Sequence, residues 1–155
     1  MSSLKCILLV DDSPRDRELA LEALATYKLA NEVIPLRDGA EALDYLYRRG
    51  QFASRPDGHP VVVLLDLKMP RVDGLEVLRQ VKSDPKLKAI PVVMMTSSRQ
   101  EQDVAASYEL GANAYVVKPV KFRDFVDAVK QVGMFWAVLN EPPSSRLRGL
   151  GSTGT

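Results

Sequence analysis

Acids, a hydroxyl and a lysine recur along this chain at positions that could handle phosphate. Asp11-Asp12 follow the apolar run Ile7-Leu8-Leu9-Val10, Asp66 follows Val61-Val62-Val63-Leu64-Leu65, Thr96 follows Met94-Met95, and Lys118 follows Val116-Val117. Gathered in one place, three carboxylates would repel and raise one another's pKa. A cluster that stays ionised needs a hard divalent cation, and an oxygen-rich site with few protein ligands suits Mg²⁺. Lys118 adds a fixed positive charge and Thr96 a hydroxyl, which is the equipment for stabilising the charge of a transferring phosphoryl group. Asp66 is then the candidate nucleophile.

This chemistry requires the positions to meet. They do so if each apolar run is a strand of one parallel sheet, because the residues that follow parallel strands share one rim, where ligands of open α/β sheets bind. The pattern predicts strands over 5–10, 32–36, 61–65, 91–95 and 114–117. Runs this short and this apolar suit strands buried on both faces. Helices are predicted from 13 to about 27, over 39–48, 74–83 and about 100–110, and from Lys121 onward. The first starts with Ser13 as cap, Pro14 at the first helical position and Asp16 as an acid of the first turn. Asp73-Gly74 shapes the turn into the third. Five strand-helix units imply an α/β fold, a doubly wound parallel sheet with right-handed crossovers.

Composition narrows the rest. The chain has 155 residues, 46% of them apolar, which suits one domain with a real core, expected over 1–140 with a flexible tail over 141–155. Lys and Arg total 21 against 20 Asp and Glu, so no global field favours nucleic acid or an anionic membrane. No run approaches the roughly 20 apolar residues that span a bilayer, and no signal-peptide region is evident, so a soluble cytoplasmic protein is expected. One cysteine, Cys6, and one histidine, His59, exclude an intrachain disulfide and clustered Cys or His metal sites. Cys6 reads as a small buried hydrophobe in the first strand, Met94 and Met95 as core, and His59 as no phosphodonor. The segment 48–60 is longer than the usual connection and carries either a specific contact or none. Gly149-Leu150-Gly151-Ser152-Thr153-Gly154 matches a dinucleotide fingerprint literally, but lacks the strand before it and the helix after it.

Taken singly, Asp11 and Asp12 could cap a helix, and Asp66, Thr96 and Lys118-Pro119 could be turn residues. Their joint placement at four strand ends argues for a site. Asp11-Asp12, Asp66 within Leu65-Asp66-Leu67-Lys68-Met69-Pro70-Arg71-Val72-Asp73-Gly74, Thr96-Ser97-Ser98, and Lys118-Pro119 after Gly111-Ala112-Asn113-Ala114-Tyr115-Val116-Val117 resemble the receiver domain of two-component response regulators. The resemblance covers about 4–132. It implies a flavodoxin-like sheet of order 2-1-3-4-5, phosphorylation of Asp66 by a partner histidine kinase, and Mg²⁺ held by Asp12, Asp66 and the backbone carbonyl of Lys68, with Asp11 acting mainly through water. It further implies that Lys118 pairs with a phosphoryl oxygen, that Thr96 bonds to it while Tyr115 turns inward, and that Lys118-Pro119 is cis. Lys68 and Ser98 are sites expected to influence hydrolysis. The long 48–60 segment and the ending Phe135-Trp136 with Pro142-Pro143 are similar to receiver-only regulators that partner bacterial phytochrome histidine kinases.

The expectation is therefore a phosphorylation-driven binding module with no output domain, whose downstream partner is unknown. A Mg²⁺-dependent phosphatase of the haloacid-dehalogenase type would want an acid two positions after its nucleophile, where this chain has Lys68. A receiver-like scaffold that is never phosphorylated is a further reading, set against the complete acid, hydroxyl and lysine set. A flavin-binding protein of the same fold is disfavoured by two acids after the first strand.

The last helix has the stripe Phe122, Phe125, Val126 and Val129, which packs one face on the sheet. Beyond Gly133, Met134, Phe135, Trp136, Val138 and Leu139 are apolar in too many directions for one stripe. A symmetric homodimer through this segment is the expectation. The alternative is that it folds back over its own domain.

Overall fold

The computed structural model describes residues 6–25, 32–56, 58–97 and 101–131. Five strands, β1 (Ile7–Val10), β2 (Val33–Leu36), β3 (Val62–Asp66), β4 (Val92–Thr96) and β5 (Ala114–Val117), alternate with α1 (Pro14–Ala25), α2 (Gly39–Tyr47), α3 (Gly74–Ser83), α4 (Glu101–Glu109) and α5 (Phe122–Gln131). The strands form one all-parallel sheet in the flavodoxin-like order β2-β1-β3-β4-β5. This is the fold expected from the sequence.

Side chains alternate across a strand, so each apolar run serves two cores. Leu8, Val10, Leu65 and Met94 pack with Val77 and Leu78 of α3 on one face. Ile7, Leu9, Leu64 and Met95 pack with Leu24 of α1 and Phe125 of α5 on the other. β1, β3 and β4 are buried along their whole length, which is why they read as unbroken hydrophobic runs. On α5 the sheet-facing residues are Phe125, Ala128 and, partly buried, Phe122, with Val126 half-buried. Ala128 thus joins a stripe that the sequence reading drew without it.

The edge strand β2 carries Pro35. Ile7 and Asp11 donate backbone N–H groups to the carbonyls of Glu32 and Leu36, so the even-numbered positions of β2 face β1. Pro35, an odd-numbered position, turns its donorless nitrogen to the open side.

The long connection after α2 is held firmly. Arg48 takes a left-handed conformation (φ 56°) and a single 3₁₀ turn forms at Gly50–Phe52. The Arg55 guanidinium lies 4.2 Å over the Tyr45 ring, donates from Nε to the Tyr45 carbonyl at 2.7 Å, and from Nη1 to the carbonyls of Pro56 and Gly58. Phe52 meets the same ring edge-on at 5.1 Å. The specific contact left open by the sequence is therefore this anchor. Cys6 sits just ahead of β1 and is only partly buried, with Sγ 3.2 Å from the Tyr45 hydroxyl. Burial pushes its thiol pKa up, so it is a poor nucleophile.

The expected tail over 141–155 and the apolar segment Met134 to Leu139 lie outside the described residues. Among the described residues no helix is long and apolar enough to cross a membrane.

Candidate functional site

The backbone of the rim is fixed by hydrogen bonds that extend the sheet past its strand ends. Asp11 donates to the Leu36 carbonyl at 3.1 Å, Leu67 to Met95 at 2.8 Å and Lys118 to Thr96 at 2.8 Å. Asp66 and Thr96 are the last residues of β3 and β4 rather than the first beyond them. The ladder pairs Asp66 with Met95 and Thr96 with Val117, and hydropathy does not report where a ladder stops. The Lys118-Pro119 peptide is cis, as the family resemblance implies.

On this rim one carboxylate oxygen from each of Asp11, Asp12 and Asp66 lies within 4.8 Å of the other two, Asp11 and Asp66 being buried and Asp12 exposed. An all-oxygen set of this closeness fits a hard divalent cation. The Lys118 ammonium is 2.9 Å from Asp11 Oδ2, 3.2 Å from Asp66 Oδ1 and 3.0 Å from Asp16 Oδ2. A cleft of about 300 Å³ opens over the cluster, lined by Asp12, Ser13, Asp16, Asp66, Lys68, Thr96, Ser97 and Lys118. Thr96 is buried at its floor. Tyr115 is half-buried against the core on the α3 face of the sheet and does not line the cleft.

Electrostatics follow from this crowding. Burial, and then the Asp11 charge, raise the Asp66 pKa to about 7, with Lys118 opposing them. Burial works against the charge on Lys118, yet hydrogen bonds to Asp11 and Asp16 and the charge of Asp66 prevail, so its pKa rises above the usual lysine value. The ammonium is a permanent charge at any physiological pH.

The loop from Asp66 to α3 is clamped on two sides. A Cβ on Gly74 would lie 2.0 Å from the Asp66 carbonyl oxygen, and one on Gly39 2.0 Å from the Val72 carbonyl oxygen, so only glycine admits both approaches. Asp73 caps α3 by accepting from the Glu76 N–H at 2.9 Å, and Asp38 caps α2 by accepting from the Glu41 N–H at 2.8 Å. Arg71, left-handed at φ 67°, reaches across to pair with Asp38. Burial opposes the Asp38 charge, but the Glu41 N–H and the Arg71 guanidinium hold its carboxyl below the usual range.

Asp16 is the residue that sequence reasoning missed. In the sequence, helix-start chemistry alone explains an acid in the first turn of a helix. The spacing of Asp16, one turn beyond Asp12, was the signal that it could face back to the rim. Ser13 accepts from the Asp16 N–H at 3.2 Å and donates its own N–H to Asp11 Oδ1 at 3.0 Å, which ties the start of α1 to the acid pair.

A parallel five-stranded sheet with acids, a threonine and a lysine on its rim defines a receiver. The chain belongs to the response regulator receiver domain family, whose model matches residues 7–130. It is similar to the response regulator Rcp1 of Synechocystis sp., 44% identical over 132 residues that span 85% of this chain and 88% of Rcp1. Among solved structures it resembles the bacteriophytochrome response regulator AtBRR (61% identity, TM-score 0.83, 90% of this chain and 100% of that one). RtBRR, another bacteriophytochrome response regulator, matches at 61% identity and TM-score 0.82, over 96% of this chain and 89% of that one. Rcp1 in its Mn²⁺-bound form aligns with a TM-score of 0.71 at 44% identity, over 86% of this chain and 94% of that one. The protein is thus a receiver-domain response regulator related to phytochrome response regulators, from a family that binds divalent metal.

Proposed function

We propose that Asp66 accepts a phosphoryl group from a phosphohistidine of a bacteriophytochrome-type sensor histidine kinase, in the cytoplasm, and that the chain signals by phosphorylation-dependent protein binding. The observation that carries this reading is the buried Asp66 carboxylate facing an open cleft beside a fixed ammonium. A carboxylate oxygen of Asp66 attacks phosphorus, the P–N bond breaks, and its electron pair stays on the departing nitrogen; the ring leaves as neutral imidazole, with its proton either already on the other ring nitrogen or taken from water by the departing one. Lys118 meets charge on a phosphoryl oxygen, and the Thr96 hydroxyl donates to another as Tyr115 follows it inward. Asp12, Asp66 and the backbone carbonyl of Lys68 would hold Mg²⁺, with Asp11 acting mainly through water. When bound, the ion supplies positive charge against the phosphoryl oxygens.

Incubation with a small phosphodonor and Mg²⁺ should add one acid-stable, base-labile phosphate. Chelation of the metal and Asp66→Asn should each abolish it. Undiminished label in Asp66→Asn would remove Asp66 from the role, and an unlabelled wild type would favour the unphosphorylated scaffold.

The reading extends to a receiver over 1–140, a tail over 141–155, and a symmetric dimer through Met134, Phe135, Trp136, Val138 and Leu139. Light scattering should find a dimer for the intact chain and a monomer for a version ending at Gly133. A monomeric intact chain at high micromolar concentration sinks the dimer.

A further inference from the structure

Asp16 touches the Lys118 ammonium at 3.0 Å and lines the cleft, yet the phosphoryl-transfer chemistry above gives it no task. An ammonium has three N–H donors, and here three acids stand within 3.2 Å of it. The acids differ in their access to water. The side chains of Asp11 and Asp66 are 2% and 7% exposed, whereas that of Asp16 is 36% exposed. A phosphoryl group arriving on Asp66 needs a donor from Lys118. The contact most cheaply released is the one whose carboxylate water can take over. The backbone of Asp16 stays in place, because its N–H is held by Ser13 Oγ, so a side-chain rotation suffices.

We propose that Asp16 is a positioning residue that holds Lys118 in the resting site and competes with the phosphoryl group for it, so that its charge sets how fully the phosphorylated state is occupied. This rests on the phosphoryl-acceptor reading. Asp16 then acts with opposite sign on the two ligands of the cleft. In the resting site it adds negative charge beside the acid cluster and favours a divalent cation. Once a phosphoryl group is present, it repels the new charge and withholds part of Lys118.

The test is Asp16→Asn, which keeps size and removes charge, with Asp16→Glu as the charge-keeping control. Mg²⁺ affinity is measured by titration calorimetry, and beryllofluoride affinity by fluorine NMR at saturating Mg²⁺, in the full chain. Asp16→Asn should bind Mg²⁺ about two- to fivefold more weakly and beryllofluoride more tightly by a similar factor, scaled to a partly exposed charge contact. Asp16→Glu should lie near wild type in both. A residue that merely supports the start of α1 would weaken both ligands together, and that result, or beryllofluoride binding no tighter than wild type, overturns the proposal. A wild type that takes no beryllofluoride, or an Asp66→Asn variant that takes it as well as wild type does, would instead bring down the phosphoryl-acceptor reading, and this inference with it.

Discussion

Replacing Lys118 with methionine should cost the metal-free protein about 3 to 5 kcal/mol of stability at pH 8, the loss expected when one partner of a buried ion pair is removed. The Lys118 side chain is 13% exposed, and its ammonium lies within 3.2 Å of three carboxylates, two of which are buried. Methionine fills much the same volume, so the loss would come from stranded charge rather than from a void. Asp11 and Asp66 would face each other with no cation between them. At pH 6 the loss should shrink, because Asp66, whose pKa is already raised to about 7, can take a proton and relieve the repulsion. Added Mg²⁺ should recover part of the stability by restoring positive charge. Urea unfolding at both pH values, with chelator and with Mg²⁺, measures all of this. A midpoint that does not move at pH 8 would show that the ion pairs contribute nothing net.

The metal-free wild type should itself lose stability between about pH 4 and pH 7. The Asp66 carboxyl has a pKa of about 7 in the fold, raised by burial and by Asp11, against an ordinary aspartate value of 3.8. Between those values the native state holds a proton that the unfolded chain has released, so stability falls as pH rises through the window. The group's favourable contribution is complete below the unfolded pKa and gone above the folded one. With each pKa unit worth about 1.4 kcal/mol, Asp66→Asn should stabilise the metal-free protein at pH 8 by about 2 to 4 kcal/mol and flatten this part of the pH profile. Mg²⁺ should stabilise wild type more at pH 8 than at pH 6, where a proton competes for the site. A profile equally steep in Asp66→Asn would assign the pH dependence to other groups.

These effects concern residues whose convergence is legible in the sequence, and the reason is topological. Asp11, Asp12, Asp66, Thr96 and Lys118 follow short apolar runs, and a parallel sheet brings such ends to one rim. What the sequence hides is whatever depends on a side chain's direction or on a distant partner. Asp16 looks complete as a first-turn acid, and only the tertiary position of Lys118, 102 residues away, gives it another partner. The left-handed Arg71 carries no glycine or asparagine to advertise it, and its partner Asp38 is 33 residues off. The anchoring of the long connection rests on Arg55 meeting Tyr45, an encounter no periodicity encodes. Strand ends are misplaced by one residue at Asp66 and Thr96 because both are polar yet buried, so they end the hydrophobic run without ending the ladder.

The proline in β2 has a consequence for life at high concentration in the cell. An open sheet edge is a template on which another chain can add a strand and begin to aggregate. β2 is such an edge, four residues long, and of its two outward-facing positions, Val33 and Pro35, the proline offers no donor, which costs no bond to β1. A partner strand that approaches here finds a gap in the ladder at Pro35. The same residue that leaves the β1 ladder intact therefore interrupts any ladder on the opposite side and guards the molecule against polymerising through it.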